Sequence, residues 1–199
     1  MVATQWRQPD LWFGRTGPLV ASRMTRSQLA RAIYDASHLE GDFVLRSGAH
    51  ATEYFDKYLF ESDPELLVSI AEALVPLVPA DTEALAGLEL GGVPLAVVLG
   101  QIMSLPVLFV RKKAKEYGTR RLAEGGEVAG RKLLVVEDVV TSGGQVVLST
   151  RELRELGAII DSAICVIDRE AGGADALAEE GVALAALFAM EELKRAKRG

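Results

Sequence analysis

Apolar runs separated by polar turns follow one another along the chain, and from residue 84 onward they predict alternating strands and helices. The expected strands cover residues 84–90, 106–110, 133–136, 162–167 and 182–188. The expected helices cover residues 93–104, 145–156, 174–180 and 190–198, and residues 111–130 form a long polar loop. This alternation predicts an α/β fold in which helices flank a mainly parallel central sheet. Ligands of such sheets bind at the carboxyl ends of the strands, so a site is expected in the loops there.

The first part of the chain has a different pattern. We interpret residues 1–23 as an N-terminal extension, because the first clear helix signal follows them, and we expect residues 24–199 to form a single domain. A helix is predicted to begin at Thr25 or Ser27. Another is predicted at Asp63–Pro64, where a capping carboxylate precedes a residue whose missing N–H costs nothing.

A small hairpin is predicted before that second helix. Residues 43–46 and 52–56 have the pattern of two short strands, and the turn-like residues 47–50 lie between them. We expect this hairpin to be part of a hood over the sheet, built from about residues 25–60 together with the C-terminal residues.

Composition and charge exclude several classes of protein. The 199 residues are 49% hydrophobic and 25% charged, which is typical of a globular domain. The net charge of −6 argues against general binding to nucleic acid or to an anionic membrane. No apolar run approaches the ~18 residues that a membrane span needs. Cys165, the single cysteine, excludes an internal disulfide, lies in an apolar run that predicts burial, and fits a reducing cytoplasm.

The most informative stretch is residues 133–145, where a buried strand leads through two acids into a hydroxyl- and glycine-rich turn before a helix. Backbone N–H groups in such a turn, at a helix N-terminus, form a cradle for an anion. Thr141 and Ser142 add hydroxyl donors, while Gly143 and Gly144 let the backbone approach a phosphate closely. The turn lacks the lysine of a Walker A loop.

Glu137 and Asp138 require a separate explanation, because two carboxylates would repel a bare phosphate. They fit a site in which they accept hydrogen bonds from sugar hydroxyls or lie near a metal. A phosphate cradle with acceptors for a diol describes a ribose 5-phosphate site. The alternative is a purely structural strand–turn–helix with an acidic strand end.

These residues resemble the PRPP-binding signature of type I phosphoribosyltransferases: apolar residues, two acids, two apolar residues and a phosphate loop rich in Thr, Ser and Gly. The resemblance implies that the turn holds the 5-phosphate and that the two acids contact the ribose hydroxyls. The residues implied to bind PRPP here are Glu137, Asp138, Val139, Val140, Thr141, Ser142, Gly143, Gly144 and Gln145.

Two further segments resemble orotate phosphoribosyltransferases within that superfamily. One is the predicted hairpin, FVLRSG followed by YFD, in which the family has an aromatic that packs on the base and a lysine before Ser-Gly. Here these positions are Phe55 and Arg46; the alternative is that Phe55 and Tyr54 are one core and one surface aromatic. The other is IDRE, whose Arg169 is implied to pair with the orotate carboxylate, with Thr141 also at the base. The alternative for Arg169 is a surface salt bridge.

A third match is a basic loop. Six basic and two acidic residues lie between positions 111 and 124, in a chain that is acidic as a whole. Such a loop suits pyrophosphate, a leaving group of high charge density. Its spacing resembles the catalytic loop of the orotate family, which implies that Arg111, Lys112 and Lys115 bind the diphosphate. Tyr117 replaces the family's frequent His and can donate to a phosphate oxygen.

The resemblance also implies how the loops act together. In the family this basic loop reaches into the neighbouring subunit's site, so a homodimer sharing loop 111–126 is expected. Residues 87–94 align with a loop that binds diphosphate through its backbone, often with a cis peptide that does not involve proline.

The reaction implied is that of PRPP with orotate, giving orotidine 5′-monophosphate and pyrophosphate. Lys112, Lys115 and Asp138 are expected to carry catalysis. Mg²⁺ is expected to arrive with PRPP and to be held by substrate oxygens and water, without a metal site made of protein ligands. Neither His38 nor His50 has ligand spacing with other metal-binding residues. Two alternatives remain: a phosphoribosyltransferase for a purine base, and a regulator that senses PRPP without turnover.

Overall fold

A computed structural model describes residues 24–44, 48–113 and 122–198. Within them the strands form a two-stranded hairpin and a six-stranded sheet. The strands are β1 (His38–Val44), β2 (His50–Phe55), β3 (Ala84–Leu88), β4 (Val107–Val110), β5 (Ala123–Glu124), β6 (Leu133–Val140), β7 (Ser162–Asp168) and β8 (Ala183–Ala189).

The helices alternate with the strands of the larger sheet, as the apolar pattern predicted. They are α1 (Arg26–Ser37), α2 (Lys57–Ser62), α3 (Pro64–Leu74), α4 (Gly92–Met103), α5 (Gly144–Glu155), α6 (Gly173–Glu179) and α7 (Met190–Arg198), with a short 3-10 helix at Val75–Leu77 after α3. In the described part of the chain, no helix has the length and apolar character needed to cross a membrane.

The central sheet has the strand order β5-β4-β3-β6-β7-β8, and every adjacent pair is parallel except β4 with β5. The prediction of an α/β fold with a mainly parallel sheet is therefore confirmed. β5 was not predicted, because two residues within a polar segment give no periodic signal.

Alternate residues of β6 point to opposite faces of the sheet and so belong to two separate cores. Leu134 and Val136 pack in the core that includes residues of α1, α3, α4 and α7. Leu133 and Val135 pack in the core on the other face, with residues of α5 and α6. Helices therefore cover both faces, and this explains why β6 is a continuous apolar run in the sequence.

β6 is longer than predicted. The apolar run suggested that the strand ends at Val136, whereas the structure continues it to Val140, which pairs with Asp168 of β7. The acids at 137 and 138 therefore belong to the strand itself. A run interrupted by two carboxylates looks like a strand end, because buried charges are expensive unless other residues compensate them.

The N-terminal elements pack together beside the sheet. Thr25 caps α1 through a capping box with Gln28, which confirms the predicted helix start. α1 packs against α7, and the guanidinium of Arg26 stacks on Phe188 at 4.5 Å. The C-terminal helix thus lies against the N-terminal elements.

The hairpin is longer than the sequence suggested. β1 begins at His38, five residues before the predicted strand, and pairs with β2 from His38↔Phe55 to Val44↔His50. An irregular register between Glu40 and Phe43 interrupts the alternation of apolar and polar residues, which hid the first half of β1.

α2 was not predicted, yet it is firmly attached to the core. Asp56 caps it by accepting a hydrogen bond from the Tyr58 N–H at 3.1 Å. Phe60 is fully buried in the core on the α1 and α3 face. Six residues are too few to show a helical period, so this element has no recognisable pattern in the sequence.

We predict that Phe60→Ala destabilises the protein by about 3–5 kcal/mol, because it removes a fully buried aromatic ring and leaves a cavity. Urea unfolding followed by circular dichroism measures this loss. The control is Leu148→Ala on α5, where the side chain is 46% exposed and the expected loss is below about 1 kcal/mol. Equal losses in the two variants would contradict the placement of α2.

Candidate active site

The carboxyl ends of the parallel strands meet at one edge of the sheet. Leu88 at the end of β3 pairs with Val110 at the end of β4, and Val140 at the end of β6 pairs with Asp168 at the end of β7. Backbone hydrogen bonds continue just past these ends, from Arg169 N–H to the Val140 carbonyl at 2.9 Å, for example. The loops that carry the predicted site residues therefore start from the same edge.

The turn after β6 has the form of an anion cradle. Gly143 has a φ of 73° and stands at the N-cap of α5, which has no side-chain cap among the described residues. The first N–H groups of α5 thus remain for a ligand. Gly143 also lies against Gly173 at the start of α6, where an added Cβ would come within 3.0 Å of the Gly173 carbonyl oxygen. Thr141 and Ser142 are exposed at the turn.

The two acids before this turn have different surroundings. Asp138 is completely buried: its Oδ1 accepts a hydrogen bond from the Val139 N–H at 2.5 Å, and its Oδ2 lies 2.5 Å from Lys57 Nζ. Glu137 is partly exposed, and its buried Oε2 has no donor among the described residues. Of the two, only Glu137 is accessible from outside the protein.

A third acid approaches from α2. Glu61 is 8% exposed, and its Oε1 lies near Asp138 Oδ2 above Gly91. An ideal Cβ at Gly91 would be 1.6 Å from that aspartate oxygen and 2.8 Å from the glutamate oxygen. Only glycine fits at position 91, because any side chain there would overlap Asp138 and crowd Glu61.

The acids in the cluster formed by Lys57, Glu61, Glu137 and Asp138 have shifted pKa values. Burial, followed by the hydrogen bond with Asp138, raises the pKa of Glu61 to about 9 and raises the pKa of Glu137 well above its usual value. Burial alone would also raise the pKa of Asp138, but hydrogen bonds from Glu137, Glu61 and Lys57 outweigh it and lower that pKa. Both glutamates thus keep their protons to a higher pH than exposed acids do, whereas the shifts of Asp138 and Lys57 favour their charged forms.

The loop after β3 has the cis peptide that the resemblance implied, at Glu89–Leu90. The carboxylate of Glu89 accepts a hydrogen bond from the Lys112 N–H at 3.1 Å. This contact joins the loop after β3 to the start of the basic loop after β4. At the other end of the first loop, an added Cβ on Gly92 would overlap the Val136 carbonyl oxygen at 2.1 Å.

Only the start of the basic loop lies within the described residues. Arg111 is partly buried, with its Nε 4.0 Å from Glu124, and Lys112 is exposed beside it. Lys115 and Tyr117, which were predicted to contact diphosphate, lie outside the described residues, and so does Arg46 of the hairpin.

The aromatics of β2 point to different sides of the hairpin. Phe55 is partly buried against the core, and its ring centroid is 6.3 Å from that of Tyr34. Tyr54 is 44% exposed, with its ring 5.5 Å from Phe43. Phe55 is thus the more enclosed of the two. Arg169 is exposed at the carboxyl edge, directly after β7.

Three residues that contact the predicted site were missed from the sequence: Lys57, Glu61 and Glu89. A signal for the first two existed, because Lys57 and Glu61 are four residues apart and follow the capping residue Asp56, which places them on one helical face. Glu89 gave no signal, since its role depends on the loop that packs against it.

Comparisons with known proteins agree with this arrangement. The model of the phosphoribosyl transferase domain family matches residues 69–181. An orotate phosphoribosyltransferase of Nocardioides sp. is 50% identical over 169 residues, covering 85% of this chain and 94% of that protein. The chain belongs to the orotate phosphoribosyltransferase family.

Solved structures of the family have the same fold. The orotate phosphoribosyltransferase of Mycobacterium tuberculosis in complex with Fe(III) dicitrate superposes with a TM-score of 0.75 at 30% identity, covering 84% of this chain and 98% of that chain. The structure of the same enzyme in complex with PRPP superposes with a TM-score of 0.72 at 26% identity, covering 85% and 98%. The sequence-based prediction of the family and of its fold is therefore confirmed.

The protonated state of Glu61 predicts a dependence of stability on pH. Its pKa is about 9 in the folded protein and 4.5 as the ordinary value, so the folded state keeps a proton that the unfolded chain releases. The stabilisation is complete below the lower value and is lost as the pH rises towards the higher one, by at most about 1.4 kcal/mol per pH unit. Glu61→Gln cannot ionise, so its stability relative to wild type should rise between about pH 5 and pH 9.

Urea unfolding across this pH range measures the difference. The matched control is Glu155→Gln, which changes an exposed acid at the end of α5. A stability difference for Glu61→Gln that stays constant with pH would contradict the protonated assignment.

Proposed function

We propose that the chain transfers the 5-phosphoribosyl group of PRPP to orotate, giving orotidine 5′-monophosphate and pyrophosphate, a step of pyrimidine biosynthesis. One observation carries the proposal: the phosphate cradle, the two acids, Lys112 and Arg169 all lie at or just beyond the carboxyl edge of the sheet. That edge is where open α/β sheets bind their ligands.

PRPP is placed with its 5-phosphate in the turn of residues 141–145, where the exposed hydroxyls of Thr141 and Ser142 and the first N–H groups of α5 can donate to it. Glu137, the accessible acid, then accepts a hydrogen bond from a ribose hydroxyl. Asp138 lies next to it in β6 and is buried. The complex of the Mycobacterium tuberculosis relative with PRPP supports this choice of substrate.

The chemistry assigned to the site is displacement at the anomeric carbon through a ribosyl cation. The protein supplies no nucleophile; it neutralises the leaving diphosphate, aligns the reactants and excludes water. We assign the diphosphate to Arg111, Lys112, Lys115 and Tyr117, and to backbone groups of the loop after β3. Glu89 connects that loop to Lys112. Negative charge on the Glu137–Asp138 pair stabilises the positive charge that develops on the ribose.

Mg²⁺ fits this site as a companion of PRPP. Among the described residues no three His, Cys, Asp or Glu side chains are arranged to hold a metal ion. Substrate oxygens and waters are the ligands that this ion usually keeps. When bound, it neutralises diphosphate charge.

Orotate is placed between the hairpin and Arg169. A bidentate pair between the guanidinium of Arg169 and the orotate carboxylate selects an acidic base over uracil. Phe55, Arg46 and Thr141 complete the base site in this proposal. A purine base offers no carboxylate to Arg169, and the relatives compared above are named for orotate, which favours orotate over the purine alternative.

The proposal includes a homodimer in which loop 111–126 of one subunit completes the site of the other. The charge of this loop supports its assignment to the diphosphate, since six basic residues in a chain of net charge −6 form a local site for a polyanion. A cytoplasmic location is part of the same proposal.

The direct test is pyrophosphate release from PRPP and Mg²⁺ in the presence of orotate, uracil, adenine or hypoxanthine. We expect release with orotate alone, and loss of release when EDTA removes the metal. Release with a purine base but not with orotate would overturn the substrate assignment. Binding of PRPP without turnover on any base would favour a regulator instead.

Arg169→Ala should raise the KM for orotate roughly 30-fold, because a charge-assisted pair contributes about 2 kcal/mol. The KM for PRPP should change less than about twofold, since the proposal assigns the guanidinium to the base and not to PRPP. Steady-state kinetics with each substrate varied in turn measures both values. Arg195→Ala, at an exposed position on α7, is the control. An unchanged KM for orotate would remove Arg169 from the base site.

A further inference from the structure

We propose that Lys57 and Glu61 of α2 are positioning residues for PRPP: together they hold the Asp138 carboxylate beneath Glu137 and so orient the acid that receives the ribose hydroxyl. This inference rests on the proposed function, because it concerns the same site. Neither residue belongs to the PRPP-binding signature, and both come from a helix outside the central sheet's own connections.

Asp138 has no surface through which it could contact a substrate directly. Its exposure is 0%, and its two oxygens are engaged by the Val139 N–H and the Lys57 ammonium, each at 2.5 Å. Asp138 therefore affects PRPP through its neighbours. The residue beside it in the strand, Glu137, is the one that reaches the exterior.

Lys57 provides the positive charge that pairs with Asp138, and together with the hydrogen bonds from Glu137 and Glu61 it lowers the pKa of that carboxyl. Besides this ammonium, the charged or titratable groups near the pair are Glu61, Glu137, Asp56 and Tyr58, of which the first three are acids. Removing one partner of a buried ion pair leaves the other uncompensated, and a carboxylate in that situation takes up a proton. Without Lys57, Asp138 would be protonated, so it would donate a hydrogen bond as well as accept hydrogen bonds.

Glu61 acts as a hydrogen-bond donor in the same cluster. Glu61 Oε1 and Glu137 Oε2 are buried, and neither has a hydrogen-bond partner among the described residues. Protons on the two glutamates satisfy them, because each protonated acid then donates to Asp138. Gly91 makes this possible, since any larger residue would overlap Asp138 and crowd Glu61.

α2 lies between the hairpin and β6, and its residues connect these two parts of the site. α2 follows β2 directly, with Asp56 as its cap, so that Lys57 stands two residues after Phe55 of the hairpin. The ion pair between Lys57 and Asp138 thus connects the hairpin to β6. The acids beneath the ribose are in this way held by the N-terminal elements and by the sheet together.

The first test compares Lys57→Met with Lys57→Arg in the full chain. We expect Lys57→Met to raise the KM for PRPP about tenfold or more while the KM for orotate changes less than about threefold. Lys57→Arg keeps the charge and should recover part of the loss. Lys194→Met on α7, a half-exposed lysine 3.9 Å from Glu191, is the control and should match wild type. Circular dichroism and thermal unfolding confirm that each variant is folded.

The second test separates the donor role of Glu61 from mere packing. Glu61→Gln keeps an N–H donor of similar shape, whereas Glu61→Leu keeps the volume and removes the donor. The KM for PRPP should be about tenfold higher in Glu61→Leu than in Glu61→Gln. The acidic limb of the pH profile of kcat/KM for PRPP should shift in Lys57→Met, a change that a purely structural residue would not cause.

Two results would overturn the inference while leaving the proposed function intact. One is a wild-type KM for PRPP in folded Lys57→Met, and the other is an equal rise in Glu61→Gln and Glu61→Leu. Failure of the proposed function would look different, because the wild-type protein itself would then release no pyrophosphate with orotate.

Discussion

The ion pair between Lys57 and Asp138 is the interaction on which the arrangement of the site depends. Asp138 has no exposed surface, and a charge buried in this way is costly unless a partner and hydrogen bonds compensate it. Lys57 supplies the partner, and Glu61 and Glu137 supply hydrogen bonds. Because β6 can then continue through its two acids to Val140, the phosphate turn begins at the right place beyond the sheet.

The parallel register of the sheet turns separate sequence motifs into one site. Since β3, β4, β6 and β7 are parallel, their loops leave from the same edge, although the segments are far apart in the chain. The contact of Glu89 with the Lys112 N–H shows the same principle at the level of single atoms, because it joins loops that follow neighbouring strands. Phosphate, ribose, diphosphate and base subsites can therefore lie side by side in the proposed enzyme.

The sequence predicted those features that depend on local pattern. Long apolar runs gave the strands and helices of the sheet, Thr25 and Asp63 marked helix starts, and the 133–145 stretch identified the cradle at the start of α5. Burial of Cys165 also followed from its apolar surroundings, and burial raises the pKa of its thiol. What could not be predicted depends on partners distant in the chain: the extension of β6 needs Lys57, and the first half of β1 needs its pairing with β2.

A crystal structure of the protein with orotidine 5′-monophosphate would show whether these subsites hold the nucleotide. We expect the 5′-phosphate in the turn of residues 141–145, the orotate carboxylate within hydrogen-bond reach of Arg169, and Lys57 still paired with the buried Asp138. A nucleotide bound away from the carboxyl edge of the sheet, or one whose base carboxylate points away from Arg169, would contradict this expectation.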